Sequence, residues 1–181
     1  MEKLILETER LVLRRLTRED IEEVSLILGD IEVMYAWEKA FSQKEAAEWI
    51  DKNLKRYEEE GYSYLIAHEK ESGRCIGLMG PLMERIEGRN YPGIAYIIHK
   101  RYWKQGYAVE GTKACINYLF NKTDAEEVIV QIKYDNEPST GVAKKLGVTF
   151  KYEYIKEYDG KKMPHLIFSV SREEFRSEKP V

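Results

Sequence analysis

Between Tyr102 and Gly111 the chain reads YWKQGYAVEG, with an apolar run before it and a helical pattern after it. The first four N–H groups of a helix lack internal partners, and Asp, Asn, Ser or Thr at the N-cap usually supplies one. Two other helical patterns begin conventionally, after Thr17 and Ser42, but this one begins after Gly106. A glycine lets backbone approach a ligand with no side chain in the way. The N–H groups of Gln105, Gly106, Tyr107 and Ala108 would then point outward at the positive end of the helix dipole, which is chemistry suited to phosphate. Lys104, with Arg101 and Lys100 before it, adds cationic charge. The competing reading makes Gly106 itself the cap, with water meeting the donors. No G-x-x-x-x-G-K-[ST] occurs and no G-x-G-x-x-G follows a strand, which disfavours a nucleotide triphosphatase or a dinucleotide-dependent dehydrogenase.

The elements that would position this loop can be read from periodicity. Arg10–Leu16 alternates apolar and polar residues as a first strand. Thr17 precedes a helix with Asp20 in its first turn and Ile21, Val24, Leu26, Ile27 and Leu28 on a mostly apolar side. Ser42 and Glu45 form a capping box for a second helix running to about Glu60, where Gly61 stops it. YSYLIAHE and CIGLMGPLME read as strands joined by KESGR, and Tyr91–His99 as another. After the third helix come a buried strand, Glu127–Tyr134, and a fourth helix ended by Gly147. FKYEYIKEY and MPHLIFSV, joined at Asp159–Gly160, make a C-terminal hairpin before a peripheral tail. The order β-α-α-β-β-β-α-β-α-β-β predicts one α+β domain with a largely antiparallel sheet. Its β-α-β crossover makes strands Tyr91–His99 and Glu127–Tyr134 candidates for parallel pairing.

Composition narrows the function classes. The 181 residues are 43% hydrophobic and 34% charged, ordinary for a soluble globular domain. A formal charge of −3 argues against a nucleic-acid binder working by general electrostatic attraction. Cys75 and Cys115 form no CxxC and lie near no matching histidine pair, so the expectation is two buried free thiols in a reducing compartment and no metal site. MEKLILETERLVLRR holds no apolar stretch long enough for a secretory signal, and no spanning segment appears elsewhere; the cytoplasm follows by default. Oligomeric state is not readable from the sequence.

AYIIHKRYWKQGYAVEG resembles the acetyl-CoA motif of the GNAT N-acetyltransferases, in the branch related to the RimJ/RimL ribosomal-protein acetyltransferases. There a G-Y-W-L strand is followed by W-G-K-G-Y-A-T-E-A, matched here at Tyr96, Trp103, Gly106, Tyr107, Ala108 and Glu110. NEPSTGVAKKLGV resembles the later N-x-x-S-x-x-V-x-E-K-L-G-F element at Asn136, Ser139, Val142, Lys145, Leu146 and Gly147. TERLVLRRLTRED and YDGKKMPHLIFSVSREEF look like the two ends of this branch, so the resemblance covers Thr8 to Phe175, a single domain over 8–175 with 176–181 as tail. The departures are Ala95 for a usual glycine, Lys104 for a small residue, Gly111 for Ala, Lys144 for Glu and Val148 for Phe.

The resemblance implies an acetyl-CoA-dependent N-acetyltransferase acting on a primary amine, small molecule or protein N-terminus, without a metal. The pyrophosphate would sit on the N–H groups of Gln105 to Ala108, beside Trp103, Lys104 and Lys145. The pantetheine arm would make sheet-like bonds to Ile97 and Ile98, and an N–H near Ile98 would polarise the thioester carbonyl. An alkylammonium has a pKa of about 10 and must lose a proton to attack. The candidates are Glu157 first, where the branch places a glutamate, then Glu84, His99 or a relayed water; the plain alternative for each is a solvated surface group. Ser139 would assist the departing thiolate, and Asn136 would contact the cofactor or cap the fourth helix; Tyr134 and Tyr107 are further hydroxyls. Trp37 and Glu38 could give an aromatic wall and a carboxylate for a cationic acceptor. Two other readings remain: a non-catalytic acyl-CoA-binding domain, and an interaction module without cofactor.

Overall fold

The computed structural model describes residues 5–177. Strands β1 (Ile5–Glu7), β2 (Leu11–Arg15), β3 (Leu65–Glu69), β4 (Cys75–Ile86), β5 (Arg89–Ile98), β6 (Glu127–Lys133), β7 (Thr149–Tyr158) and β8 (Lys161–Ser171) form one sheet in the order β1-β2-β3-β4-β5-β6-β8-β7. Helices α1 (Ile21–Leu28) and α2 (Gln43–Glu59) follow β2, α3 (Tyr107–Lys122) joins β5 to β6, α4 (Glu137–Lys145) follows β6, and α5 (Arg172–Ser177) closes the described chain. Every neighbouring pair is antiparallel except β5 with β6, as the crossover requires. The predicted mixed α+β architecture with a largely antiparallel sheet is therefore the observed one.

Local chemistry accounts for the helix ends. Ser42 Oγ accepts the Glu45 N–H at 3.2 Å, and the Glu45 carboxylate accepts the Ser42 N–H at 2.8 Å, closing the capping box that starts α2. Asn136 Oδ1 accepts the Ser139 N–H at 3.1 Å to start α4, and Gly147, at φ +69°, follows its last turn. At α3 the cap is Gly106 at φ +85°, which brings no side chain to accept from the first-turn N–H groups.

The core lies between the helices and the central strands, where Leu11, Leu13, Leu65, Ile66, Leu78 and Met79 meet Cys115, Ile116 and Leu119 of α3. Here α3 presses close to β4: a Cβ on Gly111 would come within 2.0 Å of Met79 Sδ, a physical reason for glycine where the resembled pattern has alanine. Helix α2 is fixed to the residues just before β3 and just after β2 by buried polar contacts. Ser63 Oγ donates to Asn53 Oδ1 at 2.6 Å, and Tyr57 Oη accepts the Leu16 N–H at 3.0 Å while donating to the Tyr64 carbonyl. These contacts set the position of Trp49, Lys52 and Arg56, which α2 contributes to a cleft wall.

Two elements depart from the expected order. The strand Ile5–Glu7 precedes the predicted first strand and pairs with it antiparallel, and the segment expected to be a peripheral tail begins with α5. Phe175 of α5 packs its ring 5.5 Å from that of Phe120. The rest of the predicted tail, from residue 178, lies outside the described residues. No described helix is long and apolar enough to cross a membrane.

Candidate active site

The parallel strands β5 and β6 pair only at Gly93↔Ile129 and Ile94↔Val130, although β5 continues to Ile98 and β6 to Lys133. Beyond Ile94 they splay, and a cleft of about 600 Å³ fills the wedge. Strand alternation decides which amides face it. The His99 N–H donates to the Ile76 carbonyl at 2.9 Å, across the pair Gly77↔Ile98, so Ile98 and, two residues back, Tyr96 turn their polar groups away from β4 and toward the wedge. The Ile98 carbonyl is already taken by Trp103 Nε1 at 2.8 Å, which leaves its N–H facing the cleft. Ile97 corrects the sequence reading: its amide pairs with Leu78 of β4, so it lines the cleft with its side chain alone. Tyr96 takes its place as an amide facing the wedge, a register detail that no motif carries.

At one end of the wedge stands the uncapped start of α3. Trp103, Lys104, Gly106, Tyr107 and Ala108 line the cleft there, with Asn136, Ser139 and Lys145 of the α4 region opposite. Lys104 holds φ +61° in the left-handed region, without the freedom of the small residue usual at that place. Gln105 lies outside the cleft wall; its side chain donates to the Arg101 carbonyl at 3.0 Å and its own carbonyl accepts from Arg10 Nη1 at 3.0 Å. Arg10 also stacks 4.2 Å above the Tyr107 ring and pairs with Glu110 at 2.7 Å, fixing the loop to β2. The Tyr107 hydroxyl is committed to Glu69, and Tyr134 is exposed, so neither predicted runner-up hydroxyl is a free group in the wedge. Asn136, besides capping α4, accepts from the Tyr35 hydroxyl, and the Tyr96 hydroxyl donates to the Ser139 carbonyl at 3.2 Å.

The other end holds the carboxylate. Glu84 of β4 lies opposite Tyr91 of β5, and its side chain crosses β5 over Gly93, where an added Cβ would meet Glu84 Cγ at 2.8 Å. Its Oε2 accepts from Gln131 Nε2 of β6 at 2.7 Å. Gln131 is itself oriented, because its Oε1 accepts from the Tyr154 hydroxyl and lies 3.4 Å from Lys156 Nζ. Burial pushes the Glu84 carboxyl above its ordinary pKa, while Lys156 and Arg56 pull it partly back and Glu60 adds to the rise. Glu84 thus sits near the apex of the wedge, carboxyl inward, across β5 from β6.

The structure does not bring the first-ranked base there. Lys156 and Tyr158 of β7 line the cleft; Glu157 between them is exposed and lies outside its wall, as two-residue alternation demands. His99 uses Nδ1 to accept the Arg101 N–H at 3.2 Å and is likewise outside the wall. Trp37 lines the cleft, half-buried against the core. Glu38 instead bonds Lys133 Nζ at 2.8 Å and Lys161 Nζ at 2.9 Å, which hold its carboxyl down at about 2. It ties the loop after α1 to β6 and β8 and is not a vacant carboxylate for an acceptor. Outside the cleft, Glu23, His68 and Cys75 bring potential ligand atoms within 4.8 Å of one another, although they are far apart in spacing; Glu23 and His68 pair at 3.1 Å.

A sequence model of the acetyltransferase (GNAT) domain matches residues 10–149. The chain belongs to the GNAT acetyltransferases. The uncharacterized protein YkkB of Bacillus subtilis (strain 168) is 30% identical over 144 residues, spanning 79% of this chain and 84% of that protein. Among solved structures, a GNAT-family acetyltransferase from Bacillus anthracis superposes with a TM-score of 0.80 at 21% identity, over 94% of this chain and all of the other. RimL, a ribosomal L7/L12 alpha-N-protein acetyltransferase solved with coenzyme A, superposes at 0.76 with 17% identity over 93% and 98% of the two chains. Within this GNAT fold the splayed β5–β6 pair and the start of α3 bound one continuous cleft.

Proposed function

We propose that this chain transfers the acetyl group of acetyl-CoA to a primary amine by direct attack in a ternary complex. The observation that carries the reading is the splay of β5 from β6, which leaves the Ile98 N–H facing a cleft that also opens on the vacant donors of α3. A diphosphate fits at Gly106 because the helix start offers unpaired N–H groups, a positive dipole end and the nearby cations Lys104 and Lys145. RimL has been solved with coenzyme A, and another fold relative, the microcin C7 self-immunity acetyltransferase MccE, with acetyl-CoA and AMP, which supports the same cosubstrate here.

In this reading the pantetheine arm lies in the wedge against the Tyr96 and Ile98 amides, replacing the strand partner that β6 withdraws. The Ile98 N–H donates to the thioester carbonyl oxygen as negative charge develops on it. Glu84, which ranked second from sequence, takes the proton that the acceptor ammonium must lose; it is half-buried, held by Gln131 and aimed into the cleft, whereas Glu157 is none of these. The amine nitrogen bonds the carbonyl carbon and the carbon–sulfur bond breaks; the second proton leaves the nitrogen and reaches the departing thiolate through the Ser139 hydroxyl, which takes one proton as it gives one. Holding amine and thioester in line contributes most of the acceleration. Thiol release from acetyl-CoA, followed by mass across a panel of primary amines, tests this. Amine-dependent release with a 42-dalton gain (about the mass of an acetyl group less a proton) is the expected result. Coenzyme A binding with no release for any amine would overturn catalysis.

A further inference from the structure

The acceptor end of the cleft holds cations that no carboxylate among the described residues pairs with directly. Arg56 and Lys52, one turn apart on α2, and Lys156 on β7 all line it, around the aromatic wall of Trp49 and Tyr64, whose ring centres are 5.0 Å apart. Among the described residues none of these three cations forms an ion pair within 4.0 Å of a carboxylate. Neighbouring cations are treated differently: Lys133 and Lys161 share Glu38, and Lys39 pairs with Glu45 at 2.6 Å. Lys52 is exposed at the mouth, where an adjoining depression also holds Glu48 and Asp159; Arg56 and Lys156 lie further in. Both are half-buried, and both act electrostatically on Glu84; Lys156 is one side chain away from it, through Gln131. Glu60 faces the same carboxyl from the end of α2 but does not line the cleft.

A half-buried cation in an apolar cleft is costly unless an opposite charge meets it. Cosubstrate phosphates cannot be that charge, because they belong at Gly106, beyond Ile98, while Glu84 and its cations stand at the opposite end of β5. Building on the acetyl-transfer reading above, we propose that the acceptor is a primary amine that also carries an anionic group, a carboxylate or a phosphate, seated against Arg56 and Lys156. Its ammonium lies toward Glu84 and its anion toward the two cations, so one substrate answers both signs. A polyamine or aminoglycoside would set further positive charge against Arg56 and Lys156 and is rejected by repulsion. Seating the anion also cancels the two charges that pull the Glu84 carboxyl down, so the correct acceptor makes its own base stronger.

Matched amines separate the possibilities: β-alanine against β-alaninamide, phosphoethanolamine against ethanolamine, and a diaminopropane as the dicationic arm. The expected result is a kcat/KM preference of about tenfold or more for an anionic member, the scale of a charge-assisted contact, collapsing in the Arg56→Gln, Lys156→Gln double variant. Whichever anionic member leads identifies carboxylate or phosphate. Equal or faster turnover of the neutral or dicationic members overturns the proposal. If none of these amines is turned over, N-acetyl-β-alanine and N-acetylphosphoethanolamine are titrated calorimetrically into coenzyme A-saturated protein. Binding that the double variant weakens about tenfold supports the proposal, and no binding of either overturns it. Coenzyme A affinity is measured on the same samples: normal affinity with no anion preference removes the acceptor assignment alone, and absent affinity removes the acetyl-transfer reading with it.

Discussion

Glu84→Gln separates a proton acceptor from a packing residue, because removing the acceptor lowers turnover while the fold gains stability. The substitution keeps size and shape, and Gln131 Nε2, held 2.7 Å from Oε2, can donate to the new amide oxygen as it did to the carboxylate. The Ile98 N–H and the Gly106 loop are untouched, so coenzyme A affinity stays as it was. A positioned base contributes about 10²–10⁴ in rate. The expected loss is therefore about a hundredfold or more in kcat, about 2.7 kcal/mol of barrier. Stability moves the other way. Burial raises the folded-state pKa of Glu84, so the folded chain holds that proton to a higher pH than the unfolded chain does. Between the ordinary carboxylate value and the raised one, folding stability falls as pH rises, and it stays lower above that window. The neutral amide lacks this cost: the variant unfolds at a higher temperature than wild type at neutral pH and loses its advantage in acid below the ordinary carboxylate range. Thiol release and thermal unfolding across pH measure both effects. In wild type the acid limb of kcat/KM lies above the ordinary carboxylate pKa, and Glu157→Gln leaves it unchanged. Glu84→Gln turnover within about threefold of wild type would refute the assignment, since that is far below what a positioned base supplies.

Gly93→Ala places a Cβ 2.8 Å from Glu84 Cγ and 3.1 Å from the Ile129 carbonyl, so it lowers kcat by displacing the carboxyl, with coenzyme A affinity kept; in a Glu84→Gln background the effect on kcat largely vanishes. Gly106→Val forces a β-branched residue to φ +85°, at a local strain of about 1–3 kcal/mol, and calorimetry should show coenzyme A binding weakened about tenfold or more. Lys104→Gly relieves a left-handed residue at φ +61° and raises stability by about 1 kcal/mol in chemical denaturation, while coenzyme A affinity falls most at low salt.

What could be read from the sequence was whatever local chemistry decides. The missing cap before α3, the Ser42–Glu45 box and the single crossover follow from residues close together in the chain, and the fold places them as expected. The choice between Glu84 and Glu157 is different in kind. Both stand on strands near turns, and only the pairing register, together with the gap that Gly93 leaves for a neighbouring side chain, turns one inward and the other out. The same register shifts the amide that faces the wedge from Ile97 to Tyr96. Glu38 looked available because its partners, Lys133 and Lys161, are 95 and 123 residues away. Strand β1 and helix α5, with three and six residues, are too short for periodicity to register.

Amide hydrogen exchange, read residue by residue with and without acetyl-CoA, examines the wedge itself. On saturation, exchange should slow at Tyr96 and Ile98 and at the first turn of α3 from Gly106 to Ala108, while Ile97, already bonded to β4, stays unchanged. Protection that spares Ile98 and the Gly106 turn, or that appears elsewhere on the sheet, contradicts the placement of the cosubstrate and the chemistry built on it.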